Sequence, residues 1–328
     1  MADLSTSYMG LRLKNPLIVA SSDLARTAED IKKCAGAGAG AVVIKSIFEE
    51  QFLVDEDKNE GTSIYPEALD YMRQGGLLEY APEALVKEIE TAKKEVDIPL
   101  IASINCRTPD LWPEFAGQLQ TAGADALELN IYDLPLDLKV PGDEHDDINI
   151  RILKAVKEKV DIPVSVKLIN QVSSLPYLSR KLAEAGAGGL VFFNWFLQPD
   201  IDIDNLTTRS RKGKGDFLES LKWTALLSGR IKCDIASSGG VMSHKEAIKQ
   251  ILAGASAVQI CTLLYQKGLQ EIQNLINGLT GWMQPHGFES ISDFKGEMSF
   301  RKQQLTFRDM GEAKSYFRTQ YLKTYSKS

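Results

Sequence analysis

Apolar residues are gathered into short, nearly unbroken runs: Leu17–Ala20, Ala41–Lys45, Leu100–Ser103, Ala126–Ile131, Val164–Leu168, Leu190–Asn194, Ile235–Ser238 and Ala257–Cys261. Runs without polar alternation suit parallel strands covered on both faces. Between them lie longer stretches with apolar residues at helical spacing, such as "TAEDIKKCAGAG", "APEALVKEIETAKKEV" and "NIRILKAVKEKV". One phrase recurs where helix gives way to strand, in "CAGAGAGAVVIKS", "LQTAGADALELNI", "LAEAGAGGLVFFN" and "ILAGASAVQICT". Its glycine suits a left-handed helix end, and its small residues let helix and strand approach closely. In "KEVDIPLIAS" and "KEKVDIPVSVKL" an Asp and a Pro punctuate the turn instead. Eight strand–helix units predict an α/β TIM (β/α)8 barrel, with a doubly wound sheet as the alternative. The opening "SYMGLRLKNP" predicts a small hairpin ahead of the first barrel strand.

Two connections, 47–82 after the second strand and 195–222 after the sixth, are too long for simple βα loops. Both leave the strand ends where barrel active sites are built. The second contains "RSRKGKGD", which reads either as a solvated loop or as a lid. The whole chain, 1–328, is expected to be one domain, with the barrel ending at about residue 305 and 306–328 forming a C-terminal extension. That tail mixes aromatic and basic residues at roughly helical spacing, as a packed or partner helix would.

The chain has 328 residues, 44% of them hydrophobic, which is ample for a large core. A net charge of −6 without a Lys/Arg stripe argues against nucleic acid as a partner. The start "MADLSTSYMG" lacks a charged and then apolar leader, and no apolar run of membrane-spanning length follows, so a cytoplasmic protein off the membrane is expected. The four cysteines form no C-x-x-C pair, which disfavours zinc and iron–sulfur sites and fits a reducing compartment. His145, His244 and His286 are scattered; surface or capping roles suit them better than metal ligation, and no metal is expected.

The strand ends carry the chemistry. They present Ala20-Ser21-Ser22, Lys45-Ser46, Ser103 with Asn105, Asn130 with Tyr132 and Asp133, Lys167, Asn194, Ser237-Ser238-Gly239-Gly240, and Cys261-Thr262. In "IASSGGVMSHKEAIKQIL" two glycines precede a helix starting near Ser243, which suits a phosphate; Thr262 adds a hydroxyl at the eighth strand. Lys45 and Lys167 each end an apolar strand, where an ammonium needs a ligand or an ion-pair partner such as Glu49 or Asp133. Two cations, three amides and a phosphate cradle suit a flat, polar cofactor such as FMN.

These stretches resemble the dihydroorotate dehydrogenases, most nearly the soluble class 1 group. The resemblance runs along nearly the whole chain: "LKNPLIVASS", "AVVIKS", "ALELNI", "PVSVKL", "KWTALL", "IASSGGVMSHKEAIKQILAGASAVQICTLLYQKG" and "GFESISDFKG". It implies an FMN-binding barrel that takes hydride from a dihydropyrimidine, and often a homodimer. It places Ala20, Ser21, Lys45 and Ser46 against the flavin and gives Asn130 and Lys167 hydrogen bonds to its ring. Gly239, Gly240 and Thr262, with Ser238 and Cys261 beside them, would hold the phosphate, Asn194 would reach the substrate, and Asn105 matches more weakly.

The departures concern the substrate. Where class 1 reads Asn-hydrophobic-Ser-Cys-Pro-Asn, with cysteine as the base, this chain reads Asn130-Ile131-Tyr132-Asp133-Leu134-Pro135. The family's Asn-rich substrate run after the second strand is replaced by "TSIYPEALDYMRQGG", and the serine after Asn194 is Trp195. Hydride removal needs a nearby base, a role open to Asp133; Tyr132 could donate a proton in the opposite direction. The leading expectation is therefore an FMN-dependent oxidoreductase acting on a small cyclic or carbonyl-conjugated, dihydropyrimidine-like substrate, with an external electron acceptor or donor. The alternatives are a true dihydroorotate dehydrogenase with Asp133 replacing cysteine, a flavin-binding protein without turnover, and a phosphate-binding barrel lyase or isomerase.

Overall fold

A computed structural model describes residues 2–49, 82–131, 137–194, 198–211, 217–302 and 315. The chain opens with a hairpin, β1 (Thr6–Tyr8) and β2 (Leu11–Leu13). There follow β3 (Leu17–Val19), α1 (Ala28–Gly36), β4 (Ala41–Val43), β5 (Ile47–Phe48) and α2 (Pro82–Ala92). Next come β6 (Leu100–Cys106), α3 (Trp112–Thr121), β7 (Ala126–Ile131), α4 (Gly142–Lys157), β8 (Val164–Leu168), α5 (Leu175–Glu184) and β9 (Gly189–Phe192). After β10 (Gln198–Asp202) and β11 (Thr207–Arg211) the order is α6 (Phe217–Leu227), β12 (Asp234–Ser238), α7 (His244–Ala253), β13 (Ala257–Ile260), α8 (Thr262–Lys267) and α9 (Glu271–Met283).

All eight expected strands form, and they close into a parallel barrel in the order β3-β4-β6-β7-β8-β9-β12-β13, with β13 pairing back onto β3. β5 prolongs the second strand by pairing with the upper part of β6. The glycines of the repeated phrase lie where expected: Gly38, Gly123, Gly186 and Gly254 follow α1, α3, α5 and α7 with φ of +102°, +102°, +98° and +114°. Only glycine enters that region without strain, which accounts for the recurrence.

The strands looked uniformly apolar because both faces are buried, yet the two faces differ. Outward residues such as Leu127, Leu129 and Ile131 of β7 join the large cluster that packs on the helices. Inward residues near the strand starts (Ala41, Ile101, Ala126, Val191, Ala236 and Ala257) form a second cluster with Tyr8, Met9 and Leu13 of the N-terminal hairpin. The hairpin thus stoppers the barrel at the end opposite the strand C-termini. Small residues make room for it: a Cβ added to Gly189 would meet Tyr8 Oη at 2.8 Å and Met9 Cγ at 3.0 Å. Further towards the C-termini the inward positions turn polar, with Glu128, Lys167 and Gln259 all buried.

In the second long connection, β10 and β11 form an antiparallel hairpin in which Asp200 pairs with Arg209 and Gln198 with Arg211. The start of "RSRKGKGD" is therefore strand rather than loop; 212–216 lie outside the described residues. Most of the first long connection, 50–81, also lies outside them, as does the tail apart from residue 315. Among the described residues no helix is long and apolar enough to cross a membrane.

Candidate active site

At the C-terminal mouth of the barrel is a cavity of about 200 Å³. It is lined by Ala20, Ser21, Lys167, Phe193, Asn194, Ser238, Gly239, Gly240, Val241, Gln259, Cys261 and Thr262. Nine of the residues expected from sequence are in that set. Ladder bonds continue past the strand ends and fix the rim: Ala20 N–H donates to Ile260 O (3.0 Å), Phe193 N–H to Ser238 O (3.2 Å) and Asn194 N–H to Leu168 O (2.8 Å).

The remaining expected residues stand beside this set rather than on the cavity wall. Ser46 is tied to it through Ser21, whose Oγ accepts from Ser46 N–H at 2.9 Å; the Ser46 hydroxyl also meets Ser103 Oγ at 2.8 Å. Asn130 accepts from Asn194 Nδ2 at 2.5 Å, which couples the ends of β7 and β9. Asn105, buried, is the register neighbour of Asn130. Lys45 does not reach the wall: its ammonium pairs with Asp23 in the turn after β3. Tyr132 and Asp133 lie outside the described residues, as does Trp195.

After β12, Gly239 (φ +95°) and Gly240 (φ +72°) turn the backbone sharply before α7, a conformation that disfavours any side chain. Ser243 caps α7, its Oγ accepting from Lys245 N–H at 3.3 Å. A bare glycine turn, the Thr262 hydroxyl, an ammonium and an amide form a donor set chemically suited to a phosphorylated polar ring, so the residues present fit FMN. Cys261 forms part of the wall. Burial raises its thiol above the ordinary range, against the lowering effects of a Ser22 hydrogen bond and the Lys167 charge.

Two residues that sequence reasoning missed organise the floor. Gln259 Oε1 accepts from Lys167 Nζ at 3.0 Å, while its Nε2 donates to Glu128 Oε2 at 2.5 Å. Glu128 Oε1 lies 3.5 Å from the same ammonium. Glu49, one expected partner for a strand-end lysine, is thus corrected, while the other, Asp133, lies outside the described residues. Glu128 serves Lys167 and Asp23 serves Lys45, whereas Glu49 accepts from the backbone N–H groups of Arg107 (2.8 Å) and Thr108 (2.9 Å), the Thr108 hydroxyl and Trp112 Nε1. The signal was present as every-second-residue spacing, Ala126-Glu128-Asn130 and Ala257-Gln259-Cys261, hidden inside runs read as apolar throughout.

A family model described as dihydroorotate dehydrogenase matches residues 3–283. The chain is 30% identical over 309 residues to the catalytic subunit of dihydroorotate dehydrogenase B (NAD(+)) from Thermoplasma acidophilum, covering 90% of this chain and 99% of that one. It is 32% identical over 302 residues to the protein of the same name from Pyrococcus horikoshii, covering 89% and 97%. Among solved structures, a dihydroorotate dehydrogenase from Eimeria tenella in complex with ferulenol superposes with a TM-score of 0.65. At 19% identity, covering 90% of this chain and 88% of that one, it supports the fold.

Proposed function

Given that the chain belongs to the dihydroorotate dehydrogenase family of oxidoreductases, we propose that it binds FMN and exchanges hydride with a small cyclic or carbonyl-conjugated, dihydropyrimidine-like substrate. The observation that carries this reading is the convergence of Lys167, Asn194, Gly239, Gly240 and Thr262, from four different strand ends, on one cavity. Gly239, Gly240 and Thr262, flanked by Ser238 and Cys261, would hold the phosphate. Ala20 and Ser21 would lie against the ring system, with Ser46 behind Ser21. Lys167 and Asn130 would hydrogen-bond the ring, and Lys45 and Asn105 would complete its surroundings. Bound there, FMN would supply a two-electron acceptor for hydride.

The chain's own contribution is orientation and proton handling. Asn194, which lines the cavity and donates to Asn130, would reach the substrate. In oxidation, the Asp133 carboxylate would take the proton from the carbon next to the one that loses hydride; in reduction, the Tyr132 hydroxyl would give one back. The sequence has no G-x-G-x-x-G after a strand, so electrons would pass to an acceptor from outside the chain. A cytoplasmic homodimer of one-domain subunits without nucleic-acid or membrane contacts suits the acidic composition.

A narrower reading, dihydroorotate as the substrate with Asp133 replacing the family cysteine, is favoured by the names of the relatives. One experiment separates the readings: the visible spectrum of the purified protein before and after anaerobic addition of dihydroorotate. Flavin bands that bleach support the narrower reading. Bands that persist, but bleach with another conjugated cyclic donor, support the broader one. A protein that stays colourless after incubation with FMN overturns both.

A further inference from the structure

Lys167 is 6% exposed, Glu128 1% and Gln259 2%; Glu128 and Lys167 stand on the neighbouring strands β7 and β8, and Gln259 reaches them across the barrel lumen from β13. A buried ammonium and a buried carboxylate are each costly alone and tolerable together. Gln259 joins them, and its amide can do so in one orientation only. Flipped, its NH2 would face an ammonium and its oxygen a carboxylate. The charges therefore fix the orientation.

An ammonium carries three N–H bonds. Among the described residues, Gln259 Oε1 takes one at 3.0 Å and Glu128 Oε1 faces another at 3.5 Å. Lys167 also lines the cavity, so the third is available to an acceptor there. Among the described residues, the Cys261 thiol feels the Lys167 charge and the Tyr8 phenol, below, feels that of Glu128.

We infer that Glu128 and Gln259 are positioning residues for Lys167: they hold its ammonium in place and aim one N–H at an electron-rich oxygen of whatever fills the cavity. This rests on the flavin reading for the identity of that oxygen, but the charge link itself does not. Neither residue touches the cavity's reacting groups except through Lys167, apart from the face of Gln259 that forms part of the floor.

The test uses Glu128→Gln, Glu128→Asp, Gln259→Met, Lys167→Met and the double variant Glu128→Gln/Lys167→Met. In the apo protein, each single neutralisation of the pair lowers Tm by several degrees, and the double variant loses less than the sum of the two. With FMN as the probe, Glu128→Gln and Gln259→Met weaken binding about tenfold or more, the size of one charge-assisted hydrogen bond. Both shift the midpoint potential of the bound flavin in the same direction as Lys167→Met, and Glu128→Asp restores most of the wild-type value. Wild-type affinity and potential in Glu128→Gln and Gln259→Met, with both changed in Lys167→Met, overturn the positioning role while leaving the flavin reading intact. If the wild-type chain takes up no flavin, it is the functional reading that falls. The link is then decided by the thermal cycle, where strictly additive losses overturn it.

Discussion

Glu49 gathers four donors from the turn after β6 and the first residue of α3, and it is 5% exposed. Glu49→Ala removes the acceptor from all of them, and the expected cost is about 3 kcal/mol; Glu49→Gln, which keeps one acceptor oxygen, should cost less. Urea unfolding of the two variants measures both. Cys261 sits on the cavity wall with its thiol raised by burial, so it is protonated at neutral pH. Alkylation by iodoacetamide should therefore be slow near pH 7, quicken as pH rises into the alkaline range, and slow again when FMN is present. Mass-spectrometric labelling of Cys261 follows each of these. The residues that line the cavity were legible because they are unusual for their places: lysine at the end of an apolar strand, paired glycines before a helix. Glu128 and Gln259 were not, since a charge inside the barrel looks, in sequence, like an interruption of an apolar run.

At the scale of elements, the repeated Ala-Gly-Ala phrase foretold the helix ends correctly because backbone conformation there depends on a single residue type. α7 illustrates the energetics. Ser243→Ala should cost about 1 kcal/mol through loss of the cap. Gly254→Ala should cost more, about 2 kcal/mol, since it puts a side chain at φ +114° and its Cβ 1.9 Å from Ser228 Oγ. The hairpin β1–β2 was legible as a hairpin, but its use as a stopper was not, because no local pattern says which end of a barrel a hairpin will fill. Gly189→Ala tests that use. The added Cβ strikes the Tyr8 ring, and the hairpin should open to faster backbone hydrogen exchange at residues 6–13, with a loss of about 1–3 kcal/mol in global stability. The strand in the second long connection was missed because charged and glycine residues on an exposed hairpin carry no burial signal.

Over the whole molecule, the buried acids set how stability depends on pH. Burial pushes the Cys34 and Cys233 thiols up to about 12, raises Cys106 well above its usual range, and does the same to the Tyr8 phenol. Each holds its proton more firmly folded than unfolded. Their contribution is complete below about pH 8.5, the unfolded thiol value, and is lost as pH climbs above it, because the unfolded chain then binds fewer protons. Urea midpoints should stay flat from neutrality to that point and decline beyond it, and Cys34→Ala should make the decline shallower. The barrel itself was readable from its eight strand runs because a closed parallel sheet buries every strand alike. The substrate was not, since the departures at Tyr132 and Asp133, which lie outside the described residues, name residue types without naming a ligand. The stopper has a further consequence for electrolyte. Ions can approach the Glu128–Lys167 pair only from the mouth, as Tyr8 and Met9 close the other way in. The pair is buried, so even with the cavity empty added salt screens it far less than an exposed pair such as Lys32–Glu95, and a ligand over the floor would reduce that screening further. Raising ionic strength should therefore loosen the surface ion pairs and leave the barrel interior almost untouched, filled or empty.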